Sequence, residues 1–223
     1  MDITVVKVGG SLAKKPKKLR ALCSKLSDLS KHQWLVVVPG GGEFADVARK
    51  MDKQFALSPS ASHRMAILGM DAYGFLLSDL IENSSIVDTF EKTTQILQNK
   101  KLAVFLPSCF MFSEDPLANS WEVTSDAISA CIAGRLGAKR ILLLTNVDGI
   151  FTNDPKKHKN AKLINQISAQ ELSAQNKRSS VDCALSKLLF ETKIQCYVVN
   201  GFFVERVEAV LNEKDALYTL INC

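Results

Sequence analysis

Five short runs of apolar residues, ITVVKV (3–8), WLVVV (34–38), LAVFL (102–106), ILLLT (141–145) and QCYVV (195–199), lack the polar alternation of a strand with one wet face. Strands of that kind belong in a sheet covered on both sides. The cover comes from the segments between them. Residues 17–30 space Leu19, Leu22, Cys23, Leu26 and Leu29 at helical intervals, and 43–56 place Phe44, Val47, Ala48 and Met51 on one face. A longer helical pattern over 61–81 starts after Ser58-Pro59-Ser60, and further helices are expected near 124–136, 180–192 and 203–211. Strands alternating with helices predict a three-layer αβα sandwich around a mainly parallel sheet. Residues 107–121, rich in Pro, Ser, Asp and Asn, read as a loop, and 217–221 as an edge strand. That loop is the one plausible division within a single domain, between a lobe of about 1–120 and a lobe of about 121–223.

The charge balance excludes some classes. A net charge of +5, spread along the chain apart from small clusters at Lys14–Lys18 and Lys156–Lys159, fits a solvated surface with a mildly basic pocket. A nucleic-acid binder concentrates its charge more, so no such partner is expected. The cysteines at 23, 109, 131, 183, 196 and 223 form no CxxC pair and no Cys/His cluster with zinc spacing. They read as reduced thiols, with Cys131 and Cys196 as small core residues, and no metal ligands are singled out. The start MDITVVKVGG lacks a signal peptide's layout, and no apolar run approaches the roughly 20 residues that span a bilayer. A cytoplasmic protein without a membrane partner is expected.

Two glycine-rich turns follow two of the strands: Lys7-Val8-Gly9-Gly10-Ser11 and Pro39-Gly40-Gly41-Gly42. Glycines at strand ends let backbone N–H groups approach an anion, and a following helix N-terminus adds donors. Neither turn is a GxxxxGK[ST] loop or a GxGxxG fingerprint. Lys7 near the end of a buried strand calls for an anion. Asp126, in the first turn of an apolar helix after Thr124 and Ser125, reads as a cap or dipole partner, or as a site residue. LLLTNVDGIFTNDPKK (142–157) opens from a buried strand into a polar, turn-rich loop able to hold a nucleotide.

Taken in order, VVKVGGS, VVVPGGG, TSDAISACIAGRLGA and ILLLTNVDGIFTNDPKK resemble the amino-acid-kinase superfamily over nearly the whole chain. The resemblance implies an ATP-dependent kinase, with Mg²⁺ bridging the nucleotide's phosphates. It implies catalytic roles for Lys7, at the transferring phosphoryl group, and for Asp126, which orients the lysines. Gly9, Gly10 and Ser11, with Thr145, Asp148, Gly149, Phe151, Asp154 and Lys156, would hold the nucleotide, and Gly40, Gly41 and Gly42 would face the acceptor. Many members carry a second catalytic lysine in a Gly-Gly-Met-x-x-Lys motif. Here NKRSSVDCALSKLL stands in its place, so Lys187 is the candidate, with Lys177 and Arg178 as alternatives. SASHRMAILGMDAYGFLLSDL and the 119–126 stretch, with Trp121, Thr124 and Ser125, resemble a small branch acting in methanofuran biosynthesis, whose acceptor is [5-(aminomethyl)furan-3-yl]methyl phosphate. His63 and Arg64 would then meet the acceptor phosphate, and Asp71, Glu122 or Trp121 its aminomethyl group. The alternatives are an isopentenyl phosphate, UMP, amino-acid or carbamate kinase, or a non-catalytic nucleotide-binding member. The apolar circumference of 61–81, from Met65 to Leu77, predicts a homodimer or higher homo-oligomer.

Overall fold

The computed structural model describes residues 2–222 apart from 154, 156, 159 and 175–182, and the Cys183 side chain is left aside. The first half runs β1 (Ile3–Val8), a 3-10 turn (Gly10–Lys14), α1 (Pro16–Ser30), β2 (Trp34–Pro39), α2 (Gly42–Phe55) and α3 (Pro59–Leu80). It continues through β3 (Ser84–Val87), α4 (Phe90–Gln98), β4 (Leu102–Phe105) and α5 (Ser108–Glu114). The second half comprises α6 (Ser125–Arg135), β5 (Arg140–Thr145), β6 (Ile150–Phe151), β7 (Leu163–Ile164), β8 (Gln166–Ser168) and α7 (Ala169–Ala174), then α8 (Cys183–Thr192), β9 (Gln195–Asn200), α9 (Val204–Leu211) and β10 (Thr219–Asn222).

An eight-stranded sheet runs in the order β3-β4-β2-β1-β5-β9-β10-β8, parallel from β3 to β9. This is the expected α/β sandwich with a mainly parallel sheet. β1 lies near the middle, paired with β2 and β5, and its residues after Ile3 are all buried. Side chains alternate across a strand. Val5 therefore joins the apolar layer of α4, α5, α6 and α8, while Val6 and Val8 join that of α1, α3 and α9. Both faces are dry, which is why these strands read as unbroken apolar runs.

Some expectations are corrected. The polar stretch 107–121 contains α5, whose Phe110 and Met111 are buried against the sheet. The last strand is no edge, since β10 sits antiparallel to β9 with the short β8 outside it. β3 and α4 were not anticipated, because SSIV is half polar and too short to show a period. The apolar face assigned to α2 points the wrong way. Phe44 and Val47 are 44% and 59% exposed, and Ala48 is the buried residue of that helix. Cys196 is core, whereas Cys131 is half-buried.

Candidate active site

Lys7 shares its side of β1 with Val5, the side covered by α6. The first turn of α6 brings Asp126 to it, at 2.7 Å between Nζ and Oδ1, with both side chains 11% exposed. Thr124 fixes the start of that helix, its hydroxyl accepting from the Asp126 N–H at 3.2 Å. An ion pair taken this far out of water gains little net stability, but removing one partner strands the other charge, at a cost of about 3–5 kcal/mol. Such a pair holds a lysine ammonium at a fixed place under a cleft. Thr145, two residues beyond Leu143 on β5, reaches the same side of the sheet and the same cleft.

The two glycine turns meet above this pair. The Gly9 N–H donates to the Leu144 carbonyl and the Gly40 N–H to the Val8 carbonyl, both at 2.9 Å, so each turn is tied to the neighbouring strand. A Cβ on Gly10 would stand 2.1 Å from the Gly42 Cα, and one on Gly40 would stand 2.8 Å from the Gly10 nitrogen. Gly42 also takes φ +53, which favours glycine. The glycines thus serve backbone-to-backbone packing first, and that packing brings Gly9–Ser11 and Gly41–Gly42 to one cleft of about 330 Å³.

The far wall of the cleft comes from the crossing of α2 and α3, where a Cβ on Gly69 would stand 2.8 Å from the Ala45 nitrogen. Ala45, Asp46 and Arg49 of α2 face His63, Ala66, Ile67 and Met70 of α3, each set spaced as one helical stripe. Arg49 pairs with Asp46 at 2.6 Å and lies over the Trp121 ring at 4.7 Å, while the Trp121 Nε1–H donates to Asp52 at 2.6 Å. Burial holds His63 below the ordinary histidine range, against the opposing pull of the Ser120 backbone and Asp115, and its buried Nε2 has no hydrogen-bond partner among the described residues.

Of the residues singled out in the sequence, Lys7, Gly9, Gly10, Ser11, Gly41 and Gly42 line this cleft, as do His63, Trp121, Thr124, Ser125 and Thr145. Arg64 does not: it is exposed, with its guanidinium 5.3 Å from the Phe112 ring. Asp71 accepts from the Ser108 N–H at the start of α5, and Glu122 is exposed, so neither joins the wall. Lys187 is 81% exposed, with Glu191 3.9 Å away, and is not among the lining residues. Asp148 accepts from Asn200 at 2.9 Å and from Arg206 at 2.7 Å, which ties the loop after β5 to β9 and α9. Gly149, beside Thr219, and Phe151, in the β6–β7 hairpin, lie outside the cleft lining too. Asp154, Lys156, Lys177 and Arg178 fall outside the described residues. Sequence reasoning missed Lys14, Glu43, Asp46 and Arg49. The i, i+3, i+4, i+7 spacing of Gly42, Ala45, Asp46 and Arg49 was the available signal, hidden behind the more apolar opposite stripe.

A buried lysine–aspartate pair lies under two glycine turns at the C-terminal ends of parallel strands, an arrangement suited to holding an anion, and comparison with known proteins gives the class, a phosphotransferase. Residues 2–200 match the amino acid kinase family, and the chain belongs to that family. It is a kinase. It is similar, at 37% identity over 97% of its length and 96% of the relative's, to the [5-(aminomethyl)furan-3-yl]methyl phosphate kinase of Methanocaldococcus jannaschii. It is 28% identical over 81% of its length to the uridylate kinase of Thermococcus kodakarensis, 80% of which is covered. The crystal structure of uridylate kinase from Archaeoglobus fulgidus superposes with a TM-score of 0.79, covering 99% of this chain and all of that one at 21% identity.

Proposed function

We propose that this kinase transfers the γ-phosphoryl group of ATP to [5-(aminomethyl)furan-3-yl]methyl phosphate, giving the diphosphate. The observation that carries this reading is the pairing of opposite charges on the acceptor wall, Arg49 and Asp46, beside the flat Trp121 ring. An aminomethyl phosphate needs both signs, a guanidinium for its phosphate and a carboxylate for its ammonium. UMP and isopentenyl phosphate carry no cation, and for them Asp46 would be a liability. The relative at 37% identity supports the same acceptor.

The chemistry suits the floor. The attacking group of a phosphomonoester is an already ionised phosphate oxygen, so no general base is needed. An O–P bond forms to the γ-phosphorus, the bond to the β,γ-bridging oxygen breaks, and its electron pair leaves with ADP. What the protein supplies is position and charge neutralisation. Lys7 would neutralise the transferring group, Asp126 would hold Lys7 in place, and the backbone N–H groups of Gly9–Ser11 and Gly41–Gly42 would receive phosphate oxygens. Thr124 and Ser125, at the N-terminus of α6, would add donors on the acceptor side. His63 would offer its unpaired nitrogen to the acceptor. Among the described residues no group of three or more His, Cys, Asp or Glu side chains could hold a metal, so Mg²⁺ fits as an ion carried on the nucleotide, where it supplies charge neutralisation.

The test is an acceptor screen with ATP and Mg²⁺ over the furan phosphate, UMP, isopentenyl phosphate, carbamate and amino acids. Turnover of the furan phosphate far above the rest is expected. Preference for another acceptor overturns this reading. We further propose a cytoplasmic homodimer. No helix among the described residues is long and apolar enough to cross a membrane. Val47 of α2 and Leu68 and Phe75 of α3 are 59%, 51% and 57% exposed, an apolar surface that a second copy would cover. Light scattering at micromolar concentration should give twice the chain mass, and Phe75→Glu should give the single mass. A monomeric wild type contradicts the dimer.

A further inference from the structure

Buried side-chain polar atoms without a hydrogen-bond partner are rare, and each asks for a reason. Among the described residues, the His63 Nε2 is the one such atom that belongs to a side chain lining the cleft. The residue is 4% exposed, in the second turn of α3. The other side of its ring is committed. The Ser120 backbone carbonyl accepts a hydrogen bond from the ring, and since Nε2 has no partner the donor is Nδ1. Burial disfavours the charged form, so the imidazole holds one proton. In a neutral imidazole one nitrogen donates and the other accepts. With the proton on Nδ1, Nε2 offers a lone pair and nothing else. A buried histidine nitrogen is ordinarily satisfied by protein or by water. What sets this one apart is its place, on the stripe of α3 that faces Asp46 and Arg49 across the acceptor end of the cleft.

We infer that His63 reads the cationic end of the acceptor, its Nε2 lone pair accepting an N–H of the aminomethyl ammonium, so that this residue selects for a primary amine. The inference rests on the acceptor reading proposed above. The family resemblance places His63 at the acceptor phosphate, and the tautomer assigns it the opposite end. A phosphomonoester dianion presents only lone pairs, and lone pairs brought face to face repel. An ammonium presents three N–H donors and no acceptor. Asp46 shares its carboxylate with Arg49 at 2.6 Å, which leaves N–H groups of the ammonium to place. A carboxylate and a neutral imidazole together take two of the three, without setting a second negative charge beside the acceptor phosphate. The arrangement bears on selectivity. A site built to hydrogen-bond an N–H discriminates against an analogue that lacks it, because the buried partner is then left unpaired. Isopentenyl phosphate has no such donor to offer.

The experiment compares [5-(aminomethyl)furan-3-yl]methyl phosphate with (5-methylfuran-3-yl)methyl phosphate, which lacks only the amine. Long-range proton–nitrogen NMR of the wild type reports the protonation of each ring nitrogen, and His63 is told from His32 and His158 by its absence in His63→Gln. The free protein should show Nδ1 protonated and Nε2 bare, and the Nε2 resonance should move on adding the amine-bearing phosphate but not its analogue. In turnover, His63→Leu should lower the ratio of kcat/KM for the two acceptors about tenfold or more, as loss of a hydrogen bond to a charged group does. His63→Gln, whose amide oxygen can accept, should keep part of that ratio. A proton on Nε2 in the free protein, or a ratio that His63→Leu leaves unchanged, overturns the inference with the acceptor reading intact. If wild type turns over neither phosphate, the acceptor reading has failed, and the Nε2 resonance decides alone: movement with the amine-bearing compound only supports the inference, and no movement overturns it. The same resonance decides if His63→Leu does not fold.

Discussion

The floor of the cleft and its far wall are built on different principles. The floor is backbone: two glycine turns locked together so closely that a Cβ on Gly10 would overlap Gly42, above one ion pair fixed by strand alternation and a helix start. The wall is side chain, with Asp46, Arg49 and Trp121 linked by one ion pair, one stacking contact and one hydrogen bond to Asp52. A backbone floor is hard to alter and suits chemistry common to every acceptor. A side-chain wall can be rewritten residue by residue and suits the choice among acceptors.

If that division is right, damage to the floor should be large and independent of acceptor. Lys7→Arg keeps the charge but moves it, and should lower kcat by about 10²-fold or more with every acceptor tested. Lys7→Ala adds a stability loss of about 3 kcal/mol by stranding Asp126, read as a drop in denaturant midpoint. The double variant Lys7→Met/Asp126→Leu should recover that stability without activity, which separates catalysis from folding. Gly10→Ala should cost about 1–3 kcal/mol, because a backbone must shift to admit the methyl group. A variant as stable and active as wild type would show that the turns are looser than described.

Damage to the wall should be smaller and should depend on the acceptor. Arg49→Ala should raise KM for the phosphomonoester about tenfold and leave KM for ATP nearly unchanged, the kinetic sign of lost acceptor binding. Asp46→Asn should raise it for the aminomethyl acceptor more than for its des-amino analogue. Equal effects on both would remove Asp46 from ammonium recognition.

The smallest effect concerns His63, beside the wall. Its folded pKa is depressed by burial, so the unfolded chain binds a proton first as pH falls. Its contribution is present above the ordinary value of 6.5 and is lost as pH falls from there through the folded value. His63→Gln should flatten the decline in stability as pH falls below 6.5. An unchanged slope would place the titrating group elsewhere.

The same division explains what the sequence disclosed. Lys7, the paired glycine turns and Asp126 were legible because strand ends, glycines and caps leave local signatures, and their convergence follows from a parallel sheet with β1 between β2 and β5. The wall was not legible. Its α2 stripe is the less apolar one, and the periodicity of Phe44 and Val47 drew attention to the opposite face, which is exposed. Periodicity reports where apolar residues gather but not whether the sheet or a second copy covers them. Arg64 was misplaced for a related reason. Adjacent residues on a helix point about 100° apart, so His63 in the cleft wall sends Arg64 out to Phe112.

The most direct test is phosphorus NMR of wild-type protein incubated with ATP, Mg²⁺ and [5-(aminomethyl)furan-3-yl]methyl phosphate. The prediction is loss of the monoester signal, growth of the paired doublets of a diphosphate ester and stoichiometric ADP, with all three absent for Lys7→Arg on the same timescale. An unchanged monoester signal, while UMP or another acceptor is consumed under the same conditions, would contradict the account.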